Sequence, residues 1–328
     1  MAVTDALGRG PELGYWISSE EHPPDRLVDH AAAAEAAGFR TAMISDHFHP
    51  WTPGQGQSGF VWSVLGAIAA RTAALRVGTG VTAPIARVHP VVIAHAAATV
   101  ELLMPGRFFL GLGAGERINE QVVGRHWPTG RVRREMVEEA AGVIRRLWSG
   151  STVTHEGEHF RVERARLYSR PDTVPPIVAA AGGRKSAQLA GRIADGLVGV
   201  APDPDLVDAF EGSGGAGKPR LAQLHVCWAE SETEARRTAH EWWPNAALPP
   251  ALLGELAVPT QFAAAASLVT EDAVAEQVVC GPDPARHRAA IDRFVAAGFT
   301  TVYVHQIGPD QQGFLDFARR ELLDHLSA

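Results

Sequence analysis

Short runs of apolar, β-prone residues alternate with longer stretches whose apolar positions recur every three or four residues, from one end of the chain to the other. The runs Leu13–Ile17, Thr41–Ile44, Leu75–Val81, Phe108–Leu112, Pro176–Ala180, Gly196–Val200, Leu221–Cys227 and Thr301–Val304 read as strands. Between them, Pro24–Ala37, Val61–Ala74, Pro90–Leu103 and Arg131–Trp148 read as helices, and a last helix–strand–helix begins at Pro284 with Asp283 as its cap. Close to eight strand–helix alternations predict an α/β fold with a parallel sheet.

One junction occurs twice. Ala36-Ala37-Gly38-Phe39 leads into Thr41–Ile44, and Ala297-Gly298-Phe299 leads into Thr301–Val304. In each, glycine suits the left-handed position that ends a helix, and β-prone residues follow. Near-identical units at opposite ends of the chain favour a closed (β/α)₈ barrel over an open sheet. Two segments break the rhythm. Residues 151–170 read as a β-hairpin turning at Glu156-Gly157, and residues 245–272, rich in Pro and Ala, read as an insertion capping the barrel mouth. The whole of 1–328 is expected to form one domain, a size such barrels commonly reach.

The formal net charge of −7 argues against general nucleic-acid binding, which needs a basic face. The start of the chain, through Glu12, has no basic segment followed by an apolar run, and no stretch of about 20 apolar residues occurs, so neither a leader nor a membrane span is expected. Two cysteines, Cys227 and Cys280, make no disulfide framework. The cytoplasm is the expected location.

In a parallel barrel the chemistry gathers where strands end. The loop Ser45-Asp46-His47-Phe48-His49-Pro50-Trp51 places a carboxylate, two imidazoles and an indole directly after a strand. An imidazole there can take a hydroxyl proton while a carboxylate orients it, although a cap and a packed indole would use the same residues. Gly111-Leu112-Gly113-Ala114-Gly115-Glu116 has glycines at every second position, so it misses the dinucleotide fingerprint. Such spacing would let a flat ligand approach the backbone, with Glu116 pointing into the mouth. Gly182-Gly183-Arg184-Lys185-Ser186 opens a helix and could hold an anion. His155-Glu156-Gly157-Glu158-His159 fits a zinc-protease string, but Gly157 and the preceding Thr152-Val153-Thr154 put it on a hairpin, where the histidines cannot share a helical face. His47 and His49 also look like the paired ligands of barrel metallohydrolases, without an acidic cluster at a later strand end.

The ordered set Ser45-Asp46-His47-Phe48, Pro50-Trp51, Gly78-Thr79-Gly80-Val81, Gly113-Ala114-Gly115-Glu116, Asn119-Glu120, Leu147-Trp148-Ser149-Gly150, Ala180-Ala181-Gly182-Gly183 and Trp243-Pro244 resembles the F420-dependent glucose-6-phosphate dehydrogenase group of the luciferase-like oxidoreductases. The resemblance spans nearly the whole chain and implies a TIM barrel using coenzyme F420, with FMN monooxygenases on the same barrel as the alternative. It implies that His47 takes the substrate hydroxyl proton, that Glu116 holds or delivers a proton near the deazaflavin ring nitrogen, and that Trp51 walls the reacting centre. It places Asp46, Gly80, Val81, Ala83, Ala114, Gly115, Asn119, Gly182, Gly183, Lys185 and Ser186 against the cofactor, with a non-proline cis peptide at Gly80–Val81. No metal is implied. A small-molecule substrate and a homodimer are. The chain departs from the group where the sugar phosphate is held: two lysines and one arginine there correspond to Asp203, Ala264 and Gln277. An uncharged alcohol or carbonyl substrate is therefore expected.

Overall fold

The computed structural model describes residues 6–8 and 10–326. Of the start of the chain read above, Met1–Asp5 and Arg9 lie outside the described residues. Eight parallel strands form the barrel: β1 (Glu12–Ile17), β2 (Thr41–Ile44), β3 (Arg76–Thr79), β4 (Phe108–Leu112), β5 (Ile177–Ala180), β6 (Gly196–Gly199), β7 (Arg220–Cys227) and β8 (Thr301–Gln306). They pair in the order β7-β8-β1-β2-β3-β4-β5-β6, and β6 pairs back onto β7, which closes the sheet. Helices lie between consecutive strands, as the alternation predicted. This is a (β/α)₈ TIM barrel.

The barrel interior is packed solid. Trp16, Met43, Phe109, Val178, Val198, Leu221 and Tyr303 fill it, and the rings need glycine opposite them. A Cβ on Gly14 would lie 2.4 Å from the Tyr303 ring, and one on Gly78 would lie 2.0 Å from the Phe109 ring. Outside the strands, the apolar stripes of the helices, such as Leu27, Ala31 and Ala34, bury against strand residues including Tyr15, Ala42 and Ile44. The repeated junction forms as expected. Gly38 (φ 111°) and Gly298 (φ 98°) are left-handed, and Phe39 and Phe299 donate back to the Ala34 and Phe294 carbonyls at 3.0 Å. Asp283 caps the helix Pro284–Ala296 by accepting from the Ala285 amide at 2.9 Å.

Three boundaries differ from the pattern by two residues or more. β3 stops at Thr79, two residues early, where the chain turns through a cis Gly80–Val81 peptide. The helix from Val61 ends at Arg71, because the Thr72 hydroxyl and amide both return to the Ile68 carbonyl. β8 continues past Val304 through His305 and Gln306, whose polar side chains find partners inside the protein. The hairpin forms over Val153–Glu156 and Arg161–Ala165. In it, His155 Nε2 bonds the Glu139 carboxylate at 2.9 Å, which gives the zinc-like string a packing role. The segment 245–272 is helical, and its Phe262 packs with Ile118 and Trp51 over the mouth. No described helix is long and apolar enough to cross a membrane.

Candidate active site

The C-terminal rim divides into two arcs. One runs over the ends of β3, β4 and β5 and is built from small residues. Gly80, Val81, Ala114 and Gly115 are partly exposed there, with Ala83 buried beneath Gly115. Gly182 and Gly183 have open space where a Cβ would stand, and the exposed Lys185 and half-buried Ser186 sit in the first turn of the helix Arg184–Ile193. A backbone-lined wall ending at a helix start suits a flat ring carrying an anionic tail. The alternate glycines of β4 have a different reason from the one the sequence offered. A Cβ on Gly111 would lie 2.0 Å from the Thr79 carbonyl oxygen, and one on Gly113 would lie 2.4 Å from Val81. They make room for the turn after β3, and so shape the wall from behind.

The other arc runs over the ends of β7, β8, β1 and β2 and is rich in titratable groups. His47, after β2, is 9% exposed. Its Nδ1–H donates to the His49 carbonyl at 3.2 Å, and its Nε2 stands 3.4 Å from a carboxylate oxygen of Glu20. Glu20, after β1, is buried, and its other oxygen accepts from the hydroxyls of Ser45, Ser18 and Ser19. Burial raises the pKa of this carboxyl, but His47 and the Ser45 hydroxyl more than offset it, so the group is held below the ordinary range. Trp51 packs on His47 with ring centres 4.8 Å apart and is braced by Phe262.

Asn119 joins the two loops. Its Oδ1 accepts from the Phe48 amide at 2.9 Å and the His49 amide at 3.3 Å, while its Nδ2 donates to the half-buried Glu116 at 3.3 Å. His49 adds a second tie, Nδ1–H to the Ile118 carbonyl at 3.0 Å. Asp46 is buried and spends both oxygens on the protein, accepting from Thr82 Oγ1 and from Arg87 at 2.7 Å each. Arg87 also stands 3.6 Å from Glu120, which accepts from the Ala86 and Arg87 amides. Burial disfavours the charge on Arg87, yet Asp46 and then Glu120 raise its pKa overall. Asp46 and Asn119 thus hold the loops that carry His47, Gly80–Val81 and Glu116. Their side-chain polar atoms are taken up inside the protein.

The site residues inferred from the sequence therefore stand along one rim. The residue missed was Glu20. The signal was present: Ser18-Ser19-Glu20-Glu21-His22 follows the first strand as Ser45-Asp46-His47 follows the second. Asp203, Ala264 and Gln277 are all exposed, and Asp203 caps the helix Pro204–Phe210. Among the described residues no group of three or more His, Cys, Asp or Glu side chains is arranged to hold a metal ion.

A luciferase-like monooxygenase family model matches residues 10–301. The F420-dependent glucose-6-phosphate dehydrogenase of Nakamurella multipartita is 35% identical, over 96% of each chain. The F420-dependent hydroxymycolic acid dehydrogenase of Mycobacterium tuberculosis is 38% identical, over 96% of this chain and 88% of that one. Among solved structures, an F420-dependent secondary alcohol dehydrogenase in complex with an F420–acetone adduct superposes with a TM-score of 0.88 at 29% identity, covering 95% of this chain and 98% of that chain. The barrel, its rim and these full-length matches agree: the chain belongs to the luciferase-like family.

Proposed function

We propose that the protein is an F420-dependent oxidoreductase acting on a CH–OH group, or on the matching carbonyl in reverse, with an uncharged substrate. The observation that carries this reading is His47, fixed at Nδ1 by the His49 carbonyl and set at Nε2 beside the buried Glu20 carboxylate. With Nδ1 protonated, the neutral ring has its lone pair on Nε2. A proton taken there from a substrate hydroxyl makes an imidazolium 3.4 Å from a carboxylate, which favours the transfer. The deazaflavin, when bound, supplies the acceptor for the hydride that leaves the carbinol carbon. Gly80, Val81, Ala114 and Gly115 would form the wall for its ring, Gly182, Gly183, Lys185 and Ser186 would take its tail, and Glu116 would hold a proton near the ring nitrogen. Trp51 with Phe262 would keep water from the reacting centre.

Relatives matching 96% of this chain at 35–38% identity carry F420 in their names, whereas a structural neighbour bound to FMN is 17% identical. That difference supports deazaflavin over flavin. Fluorescence-quenching titration tests it: F420 is expected to bind at least tenfold more tightly than FMN, about 1.4 kcal/mol. Equal or reversed affinities would sink the reading.

The same proposal places the enzyme in the cytoplasm as a homodimer. Both cysteines are free and buried, which suits a reducing compartment. Phe48, Phe60 and Val92, each more than half exposed, line one apolar groove with Val88 and Phe160 beside the His47 loop. A second copy covering that groove would brace the loop, and light scattering at micromolar concentration decides it.

A further inference from the structure

The arc that carries Glu20 and His47 has a second arm. Glu21, the next residue, turns its buried carboxylate the other way. It accepts from His305 Nε2–H of β8 at 2.6 Å and from the Gly308 amide at 2.9 Å. His305, fully buried, meets His225 of β7 at 2.9 Å, Nδ1 to Nδ1. Trp243 packs on both imidazoles, its ring centre 4.5 Å from His305 and 5.7 Å from His225. Four neighbouring strand ends thus present His225, His305, Glu21 with Glu20, and His47 in sequence along the rim.

The hydrogen bonds decide where the protons sit. His305 must carry a proton on Nε2 to donate to Glu21, so when neutral its Nδ1 is an acceptor. The Nδ1–Nδ1 contact then needs the proton of His225. That leaves the lone pair of His225 on Nε2. Among the described residues this nitrogen takes no hydrogen bond, and the side chain is only partly buried. Burial above all pushes the pKa of His225 down to about 3, which keeps its own ring neutral.

We propose that His225 determines specificity: its Nε2 accepts a hydrogen bond from a second hydroxyl on the substrate, so the enzyme prefers alcohols carrying a hydroxyl besides the one oxidised. His305 and Glu21 are positioning residues that fix the tautomer. Trp243 packs on His225, and Trp51, braced by Phe262, packs on His47, so both imidazoles lie beside apolar rings. A site built to accept from a hydroxyl discriminates against the analogue that lacks it. This inference rests on the proposed CH–OH chemistry at His47.

Two measurements test it, one of them independent of turnover. Nitrogen NMR of protein with isotopically labelled histidine, without cofactor, is run with cyclohexanol and with the three cyclohexanediols as probes. His225 Nε2 is expected to resonate as an unprotonated nitrogen and to shift with at least one diol but not with cyclohexanol. In F420-reduction assays, kcat/KM for that diol should exceed that for cyclohexanol about tenfold, mostly through KM. The ratio should fall towards one in His225→Phe and recover in part in His225→Gln, whose amide oxygen can accept. A protonated Nε2, no shift with any diol, or a ratio unchanged in His225→Phe would overturn the proposal. A diol-induced shift without hydride transfer to F420 would keep the His225 site and remove the dehydrogenase reading. Turnover with a ratio indifferent to His225 would do the reverse.

Discussion

The two ends of the barrel use charge in opposite ways. At the N-terminal end, Glu35 lies half-exposed and accepts from three successive amides, Ala73, Ala74 and Leu75. Arg107 donates there to Thr72 Oγ1 and the Leu75 carbonyl, and Arg76 pairs with Glu12. These groups tie chain segments together within reach of water. At the C-terminal end, Glu20, Glu21, Asp46 and Glu120 are all buried, each facing an imidazole or a guanidinium. Burying ions is costly and adds little to stability even when they are paired. Charge kept at that cost on the catalytic rim of a barrel serves chemistry, whereas charge on the other rim serves the fold. Substitutions at the two ends should therefore separate turnover from stability.

The largest effect is expected at the C-terminal rim. His47→Ala, Glu20→Gln and Glu116→Gln should each lower kcat by roughly 10²–10⁴, the range for a lost general acid or base or its electrostatic partner. Affinity for F420 and thermal stability should change much less. Near-wild-type turnover in one of these variants, with a confirmed substrate, removes that residue from the mechanism. The next effect concerns which substrates the rim admits. A phosphate brought to Asp203, Ala264 and Gln277 meets no cation at those positions, and Asp203 adds a like charge. The kcat/KM for glucose 6-phosphate should lie about three orders of magnitude below that of an uncharged substrate, some 4 kcal/mol of transition-state binding. Rapid, saturable bleaching of oxidised F420 by glucose 6-phosphate would show that other residues hold the phosphate.

The contrast also explains what could be read in advance. Apolar alternation and the paired Gly38 and Gly298 junctions located every barrel strand, because those signals are local. β8 was read two residues short because His305 and Gln306 look like loop residues. They belong to the strand since Glu21 and the Trp228 backbone satisfy them from distant parts of the chain. Glu20 was missed for the same reason. A carboxylate three residues past a strand is ordinary until folding sets it 3.4 Å from an imidazole in the loop after the neighbouring strand. Conversely, Asp46 and Asn119 were visible by type and position, but their tasks depend on Arg87, Thr82, Phe48 and His49, which only the closed rim brings near.

At the opposite end, Glu35→Ala should cost about 1–3 kcal/mol of unfolding free energy, since three amides lose a charged acceptor, with kcat unchanged. Burial is the largest single influence and raises the Glu35 pKa, but the Ala74, Ala73 and Leu75 amides together outweigh it, so the folded value is depressed. A depressed carboxylate contributes its stability above the unfolded pKa of about 4.5 and loses it as pH falls through the folded value. The variant should accordingly differ from wild type at pH 7, with the gap closing in acid. A gap independent of pH, measured by urea titration, would mean that the carboxylate charge plays no part.

The smallest effect carries the opposite sign. Glu101, on the helix Pro90–Leu103, is 3% exposed. Its Oε1 accepts from the Gly106 amide at 2.6 Å, and its Oε2 is buried without a partner. Burial raises its pKa to about 7, against the pull of the Gly106 and Phe108 amides and Arg107. For an acid raised in the folded state the penalty is absent below the unfolded value, grows as pH rises towards 7, and is constant above it. Glu101→Gln keeps the acceptor for Gly106 and removes the ionisation. The variant should match wild type near pH 4.5 and melt about 2–4 °C higher at pH 8, with kcat unaltered. Melting curves at the two pH values decide the matter. A shift of the same size at both would assign the effect to packing around Oε2, and a loss of turnover would break the division of labour between the two ends of the barrel.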